Sequence, residues 1–483
     1  MDKAMETPRE PREAGRSREP RETGRTGRRL LVGALAGCLL LGGTLMLPWE
    51  RPETRAPAPP APGAQALTAV TAGAPAALAD LAALIGEREA HLRRHPEDAG
   101  SWAVLGAAYV EQGRRTAETT YYPKADEALR TSVGLERTAA ALGGLAALAN
   151  ARRDFRAART WGEAALKLDG KRWTTYPLLI DAYTGLGDWK AAGRTLERLQ
   201  ELRSGPAVMA GAGAVYRDRG WREDAMAQLS DAAAGAEAPA ERAAYLERVG
   251  QLAWERGERE VALRNFQEAV RIDPDQRAAQ AGQGRALAAL GRTTEALNAY
   301  RVALAKQPDP RYALELGELY ESLGLRQPAR IQYDLLRERV RLAAASGVDE
   351  ALVLGRFEAD HGDPRAAVAR LRDEWRRQPG IAVADALGWA LHRAGRHEEA
   401  LRYAARATDK AHGGGVRSAL YAYHRGMIEK ELEKDGPARR HLQEALLINP
   451  YFSPLHVPDA RAALAELGAE PPREELPVAD AKR

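Results

Sequence analysis

Among its 483 residues the chain has one cysteine, Cys38, so an intramolecular disulfide is excluded, and so are CxxC redox, zinc and haem-attachment motifs. No P-loop, GxSxG or HExxH motif is present. Phenylalanine is scarce, at four residues, while alanine is abundant, which favours helices packed closely through small side chains. One-sided charge is also missing. The net charge is +4, and residues 1–29 carry nine Lys/Arg against six Asp/Glu, so the remainder is nearly neutral. No basic face stands out for nucleic acid. The nine histidines are scattered. His392 and His397 stand five apart across a turn and are not expected to share a helical face, so no metal site and no cofactor are expected.

What is present is repetition. Arg248 to Pro308 holds one pattern twice: Gly250, Gly257, Ala262, Phe266, Ala269 and Pro274, then Gly284, Gly291, Ala296, Tyr300, Ala303 and Pro308. Each pair is 34 residues apart. Glycine and alanine recur where two helices must approach closely, a large aromatic follows one helical turn after the first alanine, and proline closes the unit. The alanine that opens the second helix recurs at Ala125, Ala158, Ala192, Ala225, Ala262, Ala296, Ala329, Ala367, Ala400 and Ala438, at intervals of 33 to 38 residues. The first unit has Trp102, Leu105, Gly106 and Tyr109, and about seven extra residues between Gly113 and Ala125, including Tyr121-Tyr122-Pro123. The second unit lacks the usual glycines. Gly413-Gly414-Gly415 marks a loop late in the array.

This period and pattern resemble the tetratricopeptide repeat, a helix–turn–helix unit. The resemblance implies an all-α fold, a right-handed α-solenoid of about ten repeats that grows by stacking units. The array is expected over 76–470, opened by an amphipathic helix across Ala76–Arg94 and closed by one across Val457–Leu467, with a polar tail at 471–483. That would leave no segment for a catalytic domain, so the chain is expected to act by binding and not as an enzyme.

Ahead of the array, residues 1–29 read as a disordered basic tail with repeated Pro-Arg-Glu units. Leu30 to Leu47 is eighteen residues without charge, followed by Trp49, and segment 30–48 reads as a transmembrane signal anchor. Two other readings stay open: Leu35-Ala36-Gly37-Cys38 matches a lipobox, which would acylate Cys38, and Ala64-Gln65-Ala66 has the form of a signal cleavage site. Seven arginines between Arg12 and Arg29 against Arg51 and Arg55 place the N-terminus in the cytoplasm and the array outside. Residues 49–75, rich in Pro and Ala, read as an extended linker. The arginine bias suits a GC-rich, actinobacterial source, and the resemblance is to membrane-anchored bacterial members of the family.

In the family the first helix of each pair lines a concave face that holds a protein or peptide. By position this assigns Glu247, Gln251, Trp254, Glu318, Arg356, Asp385, Trp389, His392 and Arg393 to the groove, with Trp254 and Trp389 as aromatic anchors. The expected function is a membrane-tethered, extracytoplasmic scaffold or adaptor. The resemblance also admits an assembly chaperone of the cytochrome-maturation kind, or a regulatory subunit of a membrane enzyme.

Overall fold

Alanine and glycine at fixed spacing let helix backbones approach, and the large side chain one turn further on fills the space they leave. The computed structural model describes residues 62–410 and 415–468, in a unit that begins at Pro60. Among them are 23 helices and no strand. Ten antiparallel pairs form the array. They are α3 (Ala99–Thr116) with α4 (Tyr121–Leu135), α5 (Ala139–Ala151) with α6 (Phe155–Leu168), α7 (Thr175–Gly185) with α8 (Trp189–Leu202), α9 (Pro206–Asp218) with α10 (Arg222–Gly235), and α11 (Pro239–Glu255) with α12 (Arg259–Ile272). Then follow α13 (Arg277–Ala289) with α14 (Thr293–Lys306), α15 (Pro310–Ser322) with α16 (Arg326–Ala345), α17 (Ala351–His361) with α18 (Pro364–Arg377), α19 (Ile381–Arg393) with α20 (His397–Thr408), and α21 (Ala419–Glu431) with α22 (Asp435–Ile448). Before them lie α1 (Pro62–Ala72) and α2 (Leu78–Leu92), and after them α23 (His456–Glu466).

All ten phase-marking alanines lie in second helices and are buried. Phe266 shows how the unit packs. It is fully buried, and a Cβ placed on Gly250 of its own repeat, or on Gly282 of the next, would stand 2.7 or 2.5 Å from its ring. Leu129 fits in the same way between Gly106 and Gly144. Each such residue therefore locks its own helix pair and the following one, and truncating Phe266 would cost about 3–5 kcal/mol.

The linker expected over 49–75 is corrected in part. Pro62–Ala72 forms α1, whose Ala66 is buried with Leu81 and Leu84 of α2 and Ala108 of α3. Ala66, Leu67, Ala69 and Val70 recur at helical spacing and give the helix an apolar stripe that packs on α2 and α3. The tail 1–29, the apolar run 30–47 with Cys38, and residues 471–483 lie outside the described residues. None of the described helices is long and apolar enough to cross a membrane.

The array also touches itself, which the repeat pattern does not announce. The turns inside repeats one to five meet the ends of repeats five to ten. Asp273 Oδ2 accepts a 2.6 Å bond from Arg115, and Gln307 donates to the Arg114 carbonyl. Arg153 pairs with Glu350, while Gln378 donates to the Arg153 carbonyl and accepts from the Phe155 amide. Asn449 donates to the Trp254 carbonyl at 2.7 Å. Three of these partners stand 193, 197 and 195 residues apart, so one superhelical turn takes between five and six repeats. The seven-residue insertion lies on this seam. It lengthens α3 to Thr116, and its Arg115 forms an ion pair with Asp273 in which neither side chain is more than 10% exposed.

Backbone itself meets backbone at the seam. Gly187, at φ 72°, sits so close to the next superhelical turn that a Cβ would stand 2.6 Å from the Pro379 carbonyl oxygen. Gly291 has the same conformation, at φ 74°, with nothing within 4 Å. Alanine at either position meets a left-handed cost of about 1 kcal/mol. Gly187→Ala is expected to lose about 1–3 kcal/mol more than Gly291→Ala in urea unfolding, because only the former overpacks a contact. Equal losses would mean that the seam does not form in solution.

Candidate functional site

The first helices supply the inner wall. Their polar residues face one another across repeats that are far apart in sequence. The Asp181 carboxyl, on α7, is raised by burial and opposed by the fields of Arg248 on α11 and Arg114 on α3. Glu247 is raised by burial and opposed by Arg248, Arg285 and Arg311. Tyr421 on α21 is pushed up to about 12, mainly by burial, and feels Arg217 and Asp218 on α9, six repeats earlier. Such couplings require the first helices of both superhelical turns to converge on a shared interior. The side chains keep surface all the same, at 41% for Arg217 and 23% for Glu255. These polar groups therefore line an inner wall that keeps part of its surface accessible.

Ion pairs tie neighbouring first helices together along this wall. Arg217 donates twice to Glu255, at 2.7 and 2.6 Å, and Gln251 donates to the same carboxylate at 2.9 Å. Arg285 lies 3.4 Å from Glu315, which also accepts from the Tyr300 hydroxyl. The wall is therefore internally compensated and selects no ligand of one charge. Asp218 belongs to the same network, accepting from Arg217 at 3.2 Å. Burial pushes its carboxyl up to about 6 against the pull of Arg217, helped by Glu255 and Asp181.

A second constellation lies on α17, α19, α21 and α23. Trp389 is stacked between His424 at 4.3 Å and His392 at 5.0 Å, and its indole N–H donates to Asp360 at 2.9 Å. Burial would raise Asp360, but His456, whose Nε2 lies 3.6 Å away, the hydrogen bond from Trp389 and the field of His424 hold it at about 2. His424 Nδ1 is 2.9 Å from Asp385 Oδ1, with both residues buried. Burial, followed by the neighbouring His397, His424 and Arg393, pulls His392 down to about 4, so its ring is neutral near pH 7.

Three of the nine groove assignments are corrected. Trp254 and Trp389 keep only 9% and 4% of their surface, so neither is a free anchor. Trp254 packs in the main core, and Trp389 is enclosed by the aromatic rings around it. Asp385 is fully buried, as the partner of His424, and does not line an open face. Each sits on the side of its first helix that packs against the neighbouring repeat, a distinction that position within the unit does not make. Glu247, Gln251, Glu318, Arg356 and His392 are half-buried on first helices, and Arg393 is exposed. Gln251 joins the wall network, Glu318 lies 3.7 Å from His361, and Arg356 acts on Tyr421. Arg393 reaches Trp389 and Asp360. His392 and His397 lie on different helices, α19 and α20, as expected, and the tight turn between them brings their Nδ1 atoms to 3.0 Å. No group of three or more metal-binding side chains occurs among the described residues. Sequence reasoning missed Arg217, Glu255, Arg285 and Glu315, whose first-helix positions were a usable signal.

Two consequences are measurable. Trp389→Ala is expected to destabilise the fold by about 3–5 kcal/mol in chemical denaturation, as for any enclosed tryptophan. Asp218 sets a pH dependence. Below its unfolded value near 4 the carboxyl is protonated in both states and makes no difference. As pH rises toward 6 the unfolded chain ionises first, and the folded state loses stability by comparison. Asp218→Asn should therefore gain on the wild type between pH 4 and pH 7, by about 2 kcal/mol in the free energy of unfolding. A pH-independent difference would contradict this placement.

A family comparison agrees with the helix-pair architecture in the middle of the array. Residues 248–311 and 282–339 match the family model described as tetratricopeptide repeat. No curated protein matches the chain. Among solved structures, a tetratricopeptide repeat protein from Parabacteroides merdae is 16% identical, over 55% of this chain and 98% of that one, with a TM-score of 0.31. MamA is 17% identical, over 42% and 97%, with a TM-score of 0.21. Yeast Tom70 is 12% identical, over 75% and 96%, with a TM-score of 0.30. The fifth to seventh helix pairs of this all-α repeat protein are thus matched to the tetratricopeptide repeat.

Proposed function

We propose that the chain is a scaffold that holds a protein or peptide partner against the inner wall of its superhelix. The observation that carries this reading is the set of accessible, ion-paired side chains on α9, α11, α13 and α15, enclosed by the array and yet wet. A partner there meets hydrogen-bonding groups of both signs and no reactive centre, which suits recognition of polar main chain and side chains over recognition of a single charged group. Binding energy would come from many such contacts along the repeats and not from one aromatic anchor, since the two tryptophans first suggested for that role are spent on packing.

The proposal includes a membrane tether. Its support is in the sequence: the uncharged run 30–47, Trp49 after it, and the arginines ahead of it. The N-terminus would then be cytoplasmic and the array extracytoplasmic.

Photo-crosslinking groups placed at Gln251 and Arg356 on the wall, and at Arg264 on the outer face of α12, test the binding mode in intact membranes. A partner trapped from 251 and 356 and absent from 264 is the expected result. Trapping from 264 alone would overturn the reading. A reporter fused after Arg483 should be active only outside the cytoplasm.

A further inference from the structure

The seam uses only half of the edges that can form it. Each repeat presents its inner turn on one edge and its connection to the next repeat on the other. Turns one to five are matched to repeat ends five to ten, as described above. Turns of the later repeats, and ends of repeats one to four, meet no other superhelical turn among the described residues. Glycine reports the contrast on both edges. Gly187, Gly220 and Gly257, at φ 72°, 78° and 80°, all press against backbone across the seam. Gly291, Gly324 and Gly395, at φ 74°, 74° and 76°, have the same shape and nothing within 4 Å. On the other edge, a Cβ on Gly380, ahead of α19, would stand 2.9 Å from the Gly185 carbonyl oxygen, whereas Gly205, at the corresponding place ahead of α9, faces open space.

We propose that the open turn edge of one copy docks on the open repeat-end edge of a second copy, continuing the seam head to tail. The two edges already fit each other within the molecule, so the partner they suit best is another chain with the same two edges in the same polarity. Exposed apolar side chains lie on both. Leu323 and Leu325 flank Gly324 on the open turn edge, at 41% and 42% exposure, and Leu135 and Leu168 end repeats one and two, at 48% and 52%.

Charge follows the pattern of the internal seam. There, arginines of the turn edge pair with acids of the end edge, as in Arg115 with Asp273 and Arg153 with Glu350. The open turns carry Arg292, Arg326 and Arg396, and the open ends carry Glu136, Asp169 and Glu237. Arg292 now holds Glu295 in an exposed pair, which contributes little and can yield to a docked partner, while Arg396 shares the half-buried Glu399 with Arg372. The two edges are different surfaces, so the contact is heterologous. It adds copies in one direction and does not stop at a symmetric dimer.

The test uses the full chain in detergent, followed by sedimentation velocity over a concentration series. The wild type is expected to pass from monomer through dimer to longer species. Leu323→Glu with Leu325→Glu blocks the turn edge, and Leu135→Glu with Leu168→Glu blocks the end edge; each pair should weaken self-association roughly tenfold or more. An equimolar mixture of the two should form dimers and nothing longer, because one intact edge of each kind remains. Circular dichroism verifies that each variant is folded; should a leucine pair fail, Arg292→Glu with Arg326→Glu blocks the turn edge instead. A wild type that stays monomeric overturns the proposal, as does association that both variants retain, which would assign it to the apolar run 30–47 or the termini. Failure of the mixture to pair overturns it too.

Discussion

Contact between the inner turns and the repeat ends one superhelical turn later governs the rest of this molecule. A solenoid whose units touch only their neighbours is free to stretch and bend. Here Arg115 against Asp273, Arg153 and Phe155 against Glu350 and Gln378, and Asn449 against the Trp254 carbonyl fix the pitch. Long-range closure of this kind converts an open groove into an enclosed one. It explains why Tyr421 can feel Arg217 and Asp218 although six repeats separate them.

Closure also changes what the inner wall can do. A groove open along its length takes a ligand from the side, whereas a wall that continues across the seam admits it from an end or when the seam parts. The seam combines backbone contacts, a few amide hydrogen bonds and two arginine–carboxylate pairs with apolar packing, since Ala343 and Val348 join the core of the first two repeats and Tyr451 packs on that of the fifth to seventh.

The repeat unit was legible in the sequence because packing is periodic. Ten alanines in near-constant phase marked ten second helices, and all ten are buried. The resemblance carried by Gly250, Ala262, Phe266 and their copies pointed to the same units that the family match covers. The seam was not legible, since its partners sit almost two hundred residues apart and use carbonyls and amides that every sequence has. The seven-residue insertion was visible, but its purpose, placing Arg115 against Asp273, required the superhelical pitch. Groove residues were half legible. All nine candidates do lie on first helices, but position in a helix does not say which face packs. Trp254, Asp385 and Trp389 thus proved to be interior. His392 and His397 were legible as residues on either side of a turn, but not that the left-handed Gly395 folds it back far enough to bring the rings together.

The central claim, that the superhelix closes on itself, is most directly tested by a distance across the seam. Spin labels at Arg156 and Arg376, on opposite sides of it and joined by an Arg156–carbonyl bond of 2.8 Å, can be introduced as cysteines in a Cys38→Ser background. Double electron–electron resonance on the full chain should give one narrow distribution at the short limit of the method. A broad distribution at long distances would show an open superhelix and contradict the account.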